Sequence, residues 1–552
     1  MEEKDVQAVS RRSFLKGGAA IAAGLTAAAG VAGLGCTSTT AASKDGAQAS
    51  STEWDREADV LIVGSGYSGM AAAVEAAEAG LRVLVIEKEK QPGGNSIMCG
   101  GGCQLGGGTR FQLEKAPDVE DSPDIFFDDL YKMGGYRGVP EILRTFVDHC
   151  QDTADFLEGL GLNFANVTAQ ELGKERMYSA APGNYPGATG ISFWYVINER
   201  ASELGVETLL ETFASDLVMD DAGNVIGLVV EKDGKTVNYK ANNAVVLASG
   251  GWKGNLALRQ AYDPRYDEDY ITSGEPYVKT MGEMLPVVER AGGMLTGMSF
   301  IGAYALYWGT SHYPYWEPAD IESVPDVNNG ITIKSWEDIV VVDGNGKRFV
   351  DERTVKADST SFHDHVLNLP DRPRAVWAVF DSAAAAANGI DVSVLETVKT
   401  EEKPHLDQDY VAVGSTIEEI AEKMGVPASG LAATVESYNA FVASGVDEDF
   451  AKEGMTAPVA EAPFYAVRAG LFAHNTFGGI RVNERCQVVK AASEQENAFV
   501  DETTLAVIPH LYASGECVGS WFGKWRGGGK IGFHITFGRI AGQNAAAEPK
   551  LA

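Results

Sequence analysis

Three glycines and one carboxylate stand at the spacing that binds a dinucleotide. Gly64, Gly66 and Gly69 occupy the positions of a GxGxxG motif, and Glu87 follows Gly64 by 23 residues. The first glycine permits a tight turn, and the second lets backbone N–H groups approach a pyrophosphate. The third lets a helix pack closely on a strand. A carboxylate at this distance can accept a hydrogen bond from a ribose hydroxyl, so the pattern predicts dinucleotide binding.

The residues around this motif predict the strand–helix–strand unit that it needs. The apolar run 60–63 is typical of a buried parallel strand, and it ends at Gly64. A helix of small residues follows and ends near Gly80, and a second apolar strand, Val83–Ile86, leads directly into Glu87. The N-terminus of such a helix carries a partial positive charge that favours phosphate groups.

Further glycine-rich stretches favour contact with a flat ligand. The sequence GGNS at 93–96 precedes three consecutive glycines at 100–102, and another buried strand ends in ASGG at 248–251. Because glycine has no Cβ, the backbone of such segments can lie against a ring system.

The middle of the chain has a different character. Residues 256–320 lose the strand–helix rhythm and gather Tyr304, Tyr307, Trp308, His312, Tyr313, Tyr315 and Trp316. Two interpretations stay open: a core layer with surface loops, or a large apolar pocket that stacks a ring-bearing substrate. Glycine-interrupted segments return near the end of the chain. This order predicts a nucleotide domain in two parts, 55–257 and 471–552, around an inserted cap at 258–470.

Periodicity predicts the other elements. Helices are expected at 123–133, 140–160, 191–204, 416–424 and 429–443, and strands at 206–212, 225–231 and 236–240. The stretch 340–352, VVVDGNGKRFVDE, predicts a hairpin with a Gly-Asn-Gly turn.

Composition excludes several classes of protein. The chain has 552 residues, and its formal net charge of −32 argues against nucleic acid and anionic membrane surfaces as partners. Six cysteines in this length are not a disulfide framework, and no CxxCH motif is present for covalent haem. Cys99 and Cys103 are interpreted as incidental, with a redox pair or metal site as the alternative. No metal site is predicted.

The first 36 residues are typical of a twin-arginine export signal. Arg11 and Arg12 precede a weakly hydrophobic segment rich in glycine and alanine. Cys36 follows an imperfect lipoprotein cleavage motif, so lipid attachment there stays open. Residues 37–54 are small and polar and predict a flexible tether. We expect an exported protein of the cell envelope.

Together these segments resemble the fumarate reductase/flavocytochrome c family of FAD proteins, which includes the 3-ketosteroid dehydrogenases. The matching motifs are VGSGYSG with Glu87, GGNS, ASGG, GKRFVDE, PFYAV, HNTFGG, YASGE and ITFGRIAG, and they extend over about residues 57–543. The resemblance implies an α/β fold, with a Rossmann-like FAD-binding domain of the glutathione reductase type and an inserted α+β capping domain.

The resemblance also implies where FAD binds. Glu87 would hold the adenosine ribose, the GGNS segment would lie by the flavin, and Gly515 with Glu516 would contact the ribityl or pyrophosphate region. The membrane-complex members attach FAD through a histidine near GGNS. This chain has none there, so non-covalent FAD is expected. The residues expected to contact the cofactor are Gly64, Ser65, Gly66, Ser68, Gly69, Glu87, Lys88, Gly94, Asn95, Ser96, Gly101, Gly102, Ala214, Gly250, Gly251, Gly515, Glu516 and Ile531.

The active-site motifs of the dicarboxylate reducers in this family are only partly present. The early histidine is missing near 300–305, and the His-His-Thr turn is His474-Asn475-Thr476 here. Lys356 best matches the proton-donating arginine, with Arg353 three residues earlier, and Arg526 matches the last arginine. Fumarate is therefore disfavoured as the substrate. The candidate catalytic residues are four candidate cations, Arg526, Lys356, Arg353 and His474, and a back-up proton donor, Tyr304.

The chemistry implied by the family is hydride transfer from reduced flavin to an activated alkene, with proton donation to the neighbouring carbon. We expect an FAD-dependent ene-reductase that acts on an α,β-unsaturated acid or ketone with an aromatic or polycyclic body. Electrons would come from a separate membrane-bound cytochrome or flavoprotein, in anaerobic respiration. The alternatives are a 3-ketosteroid dehydrogenase running the reverse desaturation and a non-catalytic flavin-bearing lipoprotein.

Overall fold

The apolar run before the glycine motif lies near the centre of the largest sheet. Strand β1 (Arg56–Val63) pairs in parallel with β2 (Val83–Ile86) on one side and with β9 (Lys235–Leu247) on the other. Residues 60–63 are buried, and so are their partners in both neighbouring strands. A strand flanked on both edges and covered on both faces needs apolar residues throughout, which explains its uninterrupted hydrophobic sequence.

The computed structural model describes residues 52–169, 174–181, 190–272, 279–304, 308–310, 330–357, 359–396, 406–491, 505–519, 521–523 and 530–551. The export segment, Cys36 and most of the tether therefore lie outside the described residues.

The remaining strands are β3 (Cys103–Gln104), β4 (Phe164–Ala169), β5 (Glu175–Ala180), β6 (Glu207–Leu209), β7 (Phe213–Met219), β8 (Val225–Lys232), β10 (Ile271–Thr272), β11 (Leu295–Thr296), β12 (Ile301–Tyr304), β13 (Val340–Val342), β14 (Trp377–Asp381), β15 (Val411–Gly414), β16 (Phe464–Arg468), β17 (Phe472–Thr476), β18 (Gly479–Ile480), β19 (Gln487–Val489) and β20 (Val507–Ala513).

The helices are α1 (Tyr67–Glu78), α2 (Arg110–Lys115), α3 (Pro123–Met133), α4 (Pro140–Asp148), α5 (Cys150–Gly159), α6 (Gly190–Glu203), α7 (Leu256–Tyr262), α8 (Met284–Arg290), α9 (Thr354–Ala357), α10 (Ser359–Leu367), α11 (Ser382–Asn388), α12 (Val392–Glu396), α13 (Ile417–Met424), α14 (Ala428–Ser444) and α15 (Ile531–Ala547). Short 3-10 turns lie at Gly94–Met98, Gln408–Tyr410 and Gly515–Cys517.

The large sheet combines both ends of the described chain. Its order is β19-β20-β9-β1-β2-β6, with β8 and β7 extending from β9. Strand β20 runs parallel to β9, whereas β7, β8 and β19 pair antiparallel. The carboxyl ends of β1, β2, β9 and β20 therefore meet at one edge, where α/β sheets bind their ligands.

Helix α15 packs directly on α1 through two glycines. A Cβ atom on Gly538 would lie 2.4 Å from the carbonyl oxygen of Ser68, and one on Gly542 would lie 2.4 Å from that of Ala72. Neither position can hold a larger residue without moving the two helices apart. This contact fixes the start of α15 beside the glycine motif.

A second, antiparallel sheet is built from the middle of the chain. Its order is β13-β14-β16-β15, and α13 and α14 lie beside it over a separate apolar core. A buried ion-pair group supports it, since Arg348 contacts both Glu352 and Asp447 at 2.8 Å. The described residues from Glu53 onward form one compact unit. None of the described helices has the length and apolarity needed to cross a bilayer.

The structure corrects several element predictions. The helix expected at 140–160 is two helices, α4 and α5, separated at His149. The strand expected at 206–212 is shorter, and β7 follows it as a strand that periodicity did not predict. Strand β9 runs uninterrupted to Leu247 because it pairs with both β8 and β1. In the predicted hairpin only β13 is a strand, and its second arm forms a single bridge from Arg348 to Val342.

Candidate active site

One large cavity lies at the carboxyl edge of the main sheet. Its volume is about 800 Å3. Its wall combines the loops after β1, β2 and β9, the 3-10 turns Gly94–Met98 and Gly515–Cys517, the start of α15 and several residues from the middle of the chain. Of the residues expected to contact the cofactor, those lining it are Gly64, Ser65, Gly66, Ser68, Glu87, Lys88, Gly94, Asn95, Ser96, Gly101, Gly102, Ala214, Gly250, Gly515, Glu516 and Ile531.

The glycine motif has the geometry that its spacing predicts. Gly64 has φ +100°, and a Cβ there would lie 2.3 Å from the carbonyl oxygen of Ala248. Gly69 does not line the cavity, and a Cβ on it would lie 2.0 Å from the Gly64 carbonyl oxygen. Gly69 is thus a packing position between α1 and the turn. Gly66 lies on the cavity wall at the N-terminus of α1.

Glu87 is held in place by the turn that it faces. The Ser65 backbone N–H and hydroxyl donate hydrogen bonds to its Oε2 at 3.0 and 2.6 Å, and the Glu89 N–H donates to Oε1 at 3.0 Å. The next residue, Lys88, pairs with Glu283 at 2.5 Å and also donates to the Lys279 carbonyl oxygen. The carboxylate is therefore fixed at the cavity wall by hydrogen bonds within the chain.

The GGNS segment is tied to the first helix. The Tyr67 N–H donates to the Ser96 hydroxyl at 2.9 Å, and the Tyr67 hydroxyl donates to the Ser96 carbonyl oxygen at 2.8 Å. A Cβ on Gly94 or Gly100 would meet no atom within 4 Å, so open space lies beside both residues. This part of the wall is a cradle that a flat ligand can approach closely.

The two glycines of the ASGG segment, Gly250 and Gly251, have different roles, because only the first lines the cavity. Gly250, with φ +76°, lines the cavity. Gly251 does not, because a Cβ there would lie 2.3 Å from the Thr476 hydroxyl and 2.6 Å from Glu516 Oε1. Glu516 is fixed in turn by the Thr476 N–H, which donates to it at 2.9 Å. Ile531 and Ala214 complete the predicted set on the wall.

An aromatic pair lines the side of the cavity formed by the middle of the chain. The rings of Trp308 and Trp336 lie 5.2 Å apart between centroids, and both side chains are buried. Ile331, Ile333 and Val355 lie beside them on the same wall. Trp308 belongs to the aromatic segment singled out in the sequence, whereas Trp336 was missed because it follows that segment. Tyr307, His312, Tyr313, Tyr315 and Trp316 lie outside the described residues.

The candidate catalytic residues are only partly brought together. Lys356 lines the cavity from α9 and stays exposed to solvent. Arg353 does not line it, and its guanidinium pairs with Asp351 at 2.7 Å and Glu453 at 3.4 Å. Tyr304 pairs through its backbone with Phe472, and its side chain lies outside the described part of the structure. Arg526 also lies outside the described residues.

His474 lines the cavity, but its charge differs from the sequence prediction. Burial, with the nearby Lys253 and Lys530, holds the pKa of His474 well below its usual value. It is therefore a neutral imidazole and not the cation that the sequence suggested. Burial and Lys530 likewise lower the pKa of His534 to about 3.

Three polar residues that line the cavity were missed by sequence reasoning. Lys253, Lys530 and His534 all line the cavity, and both lysine side chains are buried. Lys253 follows the ASGG strand, and the other two open α15. No motif marks them, because they come together only when the two ends of the chain fold onto one sheet.

The cysteines form no bridge among the described residues, which hold five free thiols. Cys99 lies 3.1 Å from the Tyr67 hydroxyl, and burial raises the pKa of its thiol. Burial raises the pKa of the Cys103 thiol more strongly. Within the described ranges, no cluster of three or more histidine, cysteine or acidic side chains could hold a metal.

Residues 59–532 match the family model described as the FAD binding domain, which covers most of the chain. The chain belongs to the FAD binding domain family. The α/β fold class predicted from the sequence is thereby confirmed.

Characterised relatives of this FAD-binding chain are reductases. It is 26% identical over 496 residues to the fumarate reductase (cytochrome) of Shewanella frigidimarina, covering 89% of this chain and 77% of the relative. It is 28% identical over 502 residues to the urocanate reductase of Eggerthella lenta, covering 89% and 75%. It is 26% identical over 511 residues to the vinyl phenol reductase of Lactiplantibacillus plantarum, covering 88% and 96%.

Solved structures place the same fold over nearly the whole chain. The open conformation of a flavocytochrome c3 fumarate reductase matches with a TM-score of 0.69 at 25% identity, covering 99% of this chain and 83% of that one. A 3-ketosteroid-Δ4-(5α)-dehydrogenase from Rhodococcus jostii matches with a TM-score of 0.67 at 24% identity, covering 90% and 98%, which supports the fold alone. This FAD-binding protein is an oxidoreductase that acts on CH–CH groups, as the sequence predicted.

The cavity fits FAD with the residues that the chain provides. A pyrophosphate needs the open turn at Gly64–Gly66 and the start of α1, a ribose needs a fixed carboxylate, and a flavin needs a flat wall. The glycine motif, Glu87 and the open space beside Gly94 and Gly100 supply these features in one continuous cavity.

Proposed function

We propose that this protein is an exported FAD-dependent ene-reductase for α,β-unsaturated acids or ketones with an aromatic or polycyclic body. The observation that carries the proposal is one cavity lined both by the dinucleotide motif and by Trp308 with Trp336. An indole pair 5.2 Å apart offers apolar faces and edges to a ring-bearing substrate. The names of two relatives, urocanate reductase and vinyl phenol reductase, support a ring-bearing alkene as the substrate.

Bound FAD would supply the hydride that adds to the β-carbon of the alkene. The chain must hold the alkene, bind its carbonyl or carboxylate, and deliver a proton to the α-carbon. Lys356 is our candidate for the proton donor, because it lines the cavity and is also exposed to solvent, from which it can be reprotonated. The pKa of His474, lowered mainly by burial, leaves that residue without a proton to give as an imidazolium.

The neutral histidines and the buried lysines serve different roles in this proposal. His474 can orient a substrate oxygen through one ring nitrogen. Lys253 and Lys530 supply fixed positive charge where negative charge develops, which is most effective away from water. Asn475, which stands where the dicarboxylate reducers have a histidine, also lines the cavity and changes how a carboxylate can be held.

A panel of electron acceptors tests this function. FAD-loaded protein is supplied with a reduced viologen dye, and dye oxidation is followed with cinnamate-like, urocanate-like and cyclic enone acceptors, with fumarate for comparison. We expect turnover with at least one ring-bearing acceptor above the rate with fumarate. Absence of turnover across the panel, with reducible flavin present, would overturn the proposal. Flavin that cannot be reduced at all would indicate a non-catalytic binding protein.

The second candidate is a 3-ketosteroid dehydrogenase, which runs the reverse desaturation. The apolar wall of Trp308, Ile331, Ile333 and Trp336 favours it as well, because a steroid is a rigid apolar body. A saturated ketosteroid mixed anaerobically with oxidised holoenzyme discriminates the two. Bleaching of the flavin, followed by turnover with an oxidising dye, would support this candidate over the reductase.

The proposal also covers how FAD is attached, where its electrons come from and where the protein is located. FAD is proposed to be non-covalent, since Asn95 and its neighbours include no histidine, and denaturation should release all flavin into the supernatant. Electrons are proposed to come from a separate membrane-bound cytochrome or flavoprotein of a respiratory chain. Rapid reduction of the purified flavin by NADH would contradict that supply. Export by the twin-arginine route is proposed from Arg11 and Arg12, with lipid attachment at Cys36 left open.

A further inference from the structure

Two buried lysines concentrate positive charge on one wall of the cofactor cavity. The side chains of Lys253 and Lys530 are 3% and 6% exposed, and both residues line the cavity. Lysine is almost never buried to this extent, so these two positions are unusual for their residue type. Neither residue belongs to the dinucleotide motif.

Lys530 lies where the flat part of the cavity wall meets the start of a helix. Its backbone forms an antiparallel bridge with Cys103, directly after the cavity-lining Gly101 and Gly102. It is also the residue before α15, a helix of 17 residues whose first residue, Ile531, lines the cavity. The side-chain nitrogen of Lys530 lies 4.8 Å from the centre of the Phe477 ring.

The start of α15 adds to the charge of Lys530. The first N–H groups of a helix point out of its N-terminus and carry a partial positive charge. Lys530 occupies the capping position itself, and its own side chain forms no capping hydrogen bond. The helix end and the ammonium therefore raise the electrostatic potential at the same place.

Two histidines of the cavity wall lie near Lys530. Burial lowers the pKa of both His474 and His534, and Lys530 adds to the effect at both, as Lys253 does at His474. Glu516, a carboxylate on the same wall, accepts a hydrogen bond from the Thr476 N–H at 2.9 Å. Lys530 is therefore close enough to act on other groups of the cavity wall.

We propose that Lys530 stabilises the negative charge that a bound flavin gains on reduction, and so raises its reduction potential. A fixed positive charge in a buried site favours the form of a ligand that carries more negative charge. Lys530 thus acts on the reduction potential of the cofactor and is not needed to recognise a particular alkene. The inference rests on FAD binding and not on the choice of substrate.

The test is the two-electron reduction potential of holoenzyme in the absence of substrate, measured by equilibration with a reference dye. The Lys530→Met variant should shift the equilibrium at least tenfold towards oxidised flavin, which corresponds to about 30 mV for two electrons. Lys530→Arg keeps the charge and should stay within threefold of the parent. Lys490→Met removes the same charge from an exposed position and should also stay within threefold.

A second readout is independent of the reductant. Sulfite adds to oxidised flavin and leaves negative charge on the ring, so its affinity, read from bleaching of the visible absorbance, should fall at least tenfold in Lys530→Met alone. A neutral variant with unchanged potential and sulfite affinity would overturn the proposal. Should Lys530→Met not fold, Lys530→Gln takes its place. Loss of flavin from both variants in folded protein would also overturn it, because a charge that acts on the reduced ring should leave oxidised FAD bound.

Discussion

At the scale of single residues, the site is defined by which charged side chains face the cavity and which are already paired. Arg353 and Lys356 are three positions apart and look equivalent in the sequence. The structure separates them, because Arg353 is held by Asp351 and Glu453 outside the cavity wall while Lys356 lies on it. An exposed pair like that of Arg353 contributes little to stability, so its removal should be tolerated.

Substitution of Lys356 by Met should lower kcat for the best acceptor by about 100-fold or more, the usual scale for loss of a general acid. Flavin content and substrate-free reduction potential should remain those of the parent, because Lys356 is proposed to act on the substrate. The measurement is dye-linked turnover, with bound flavin quantified in the same sample.

Arg353→Met is the matched control for that experiment. It removes one positive charge from the same short segment and should change kcat less than threefold. Equal losses in the two variants would contradict the assignment of the proton donor to Lys356.

Sequence reasoning found the cofactor residues but not the buried charges, and the reason is physical. Gly64, Gly69 and Glu87 are constrained by local backbone geometry, which leaves a pattern within one strand–helix–strand unit. Lys253 and Lys530 are 277 positions apart in the sequence and are joined only by the fold. The lowered pKa of His474 likewise comes first from its burial in the fold and then from those two neighbours, so its charge could not be predicted from its residue type.

At the scale of elements, long buried strands and helices with one apolar face were predictable, whereas their interruptions were not. Strand β2 lies at the predicted residues, and α13 and α14 begin and end within one residue of their predicted bounds. Strand β7 was missed because most of its residues are only half-buried, so alternation is weak. The break between α4 and α5 at His149 leaves the amphipathic pattern nearly continuous.

The contact between α1 and α15 should be sensitive to a single methyl group. Gly542→Ala places a Cβ 2.4 Å from the Ala72 carbonyl oxygen, so the helices must move apart. Overpacking of this kind costs about 1–3 kcal/mol. We expect a lower melting temperature in thermal unfolding of the holoenzyme, together with weaker flavin retention, because α15 begins at the cavity.

Gly159→Ala provides the control for that prediction. Gly159 is the last residue of α5, and a Cβ there meets no atom within 4 Å. Alanine should be neutral or slightly stabilising at such a position. A melting temperature lowered equally in both variants would contradict the role of close helix packing.

At the scale of the whole molecule, charge is distributed unevenly. The chain carries a net charge of −32, yet the described cavity wall has five lysines against four glutamates: Lys88, Lys253, Lys279, Lys356 and Lys530, with Glu87, Glu89, Glu283 and Glu516. Lys88 and Glu283 pair with each other, which leaves four lysines against three glutamates on the wall. The cavity therefore favours an anionic ligand inside an acidic protein, which agrees with the pyrophosphate of FAD and with a substrate that gains negative charge.

Export of the protein, which we propose from Arg11 and Arg12, concerns the whole chain. Replacement of Arg11 and Arg12 by Lys should leave the protein in the cytoplasm, because the twin-arginine pathway selects for the arginine pair itself. Cell fractionation with immunodetection measures this outcome, and Arg56→Lys, in the folded unit, is the control. Normal export of the Arg11/Arg12 double variant would contradict the assignment.

The most direct measurement is a single turnover of the reduced holoenzyme. Protein whose flavin has been fully reduced is mixed anaerobically with an aryl-substituted acrylate or with fumarate, and the return of oxidised flavin is followed by its visible absorbance. An FAD ene-reductase with an aromatic cavity wall should be reoxidised at least tenfold faster by the best aryl-bearing alkene than by fumarate. Flavin that stays reduced with every alkene, or that fumarate reoxidises fastest, would contradict this function.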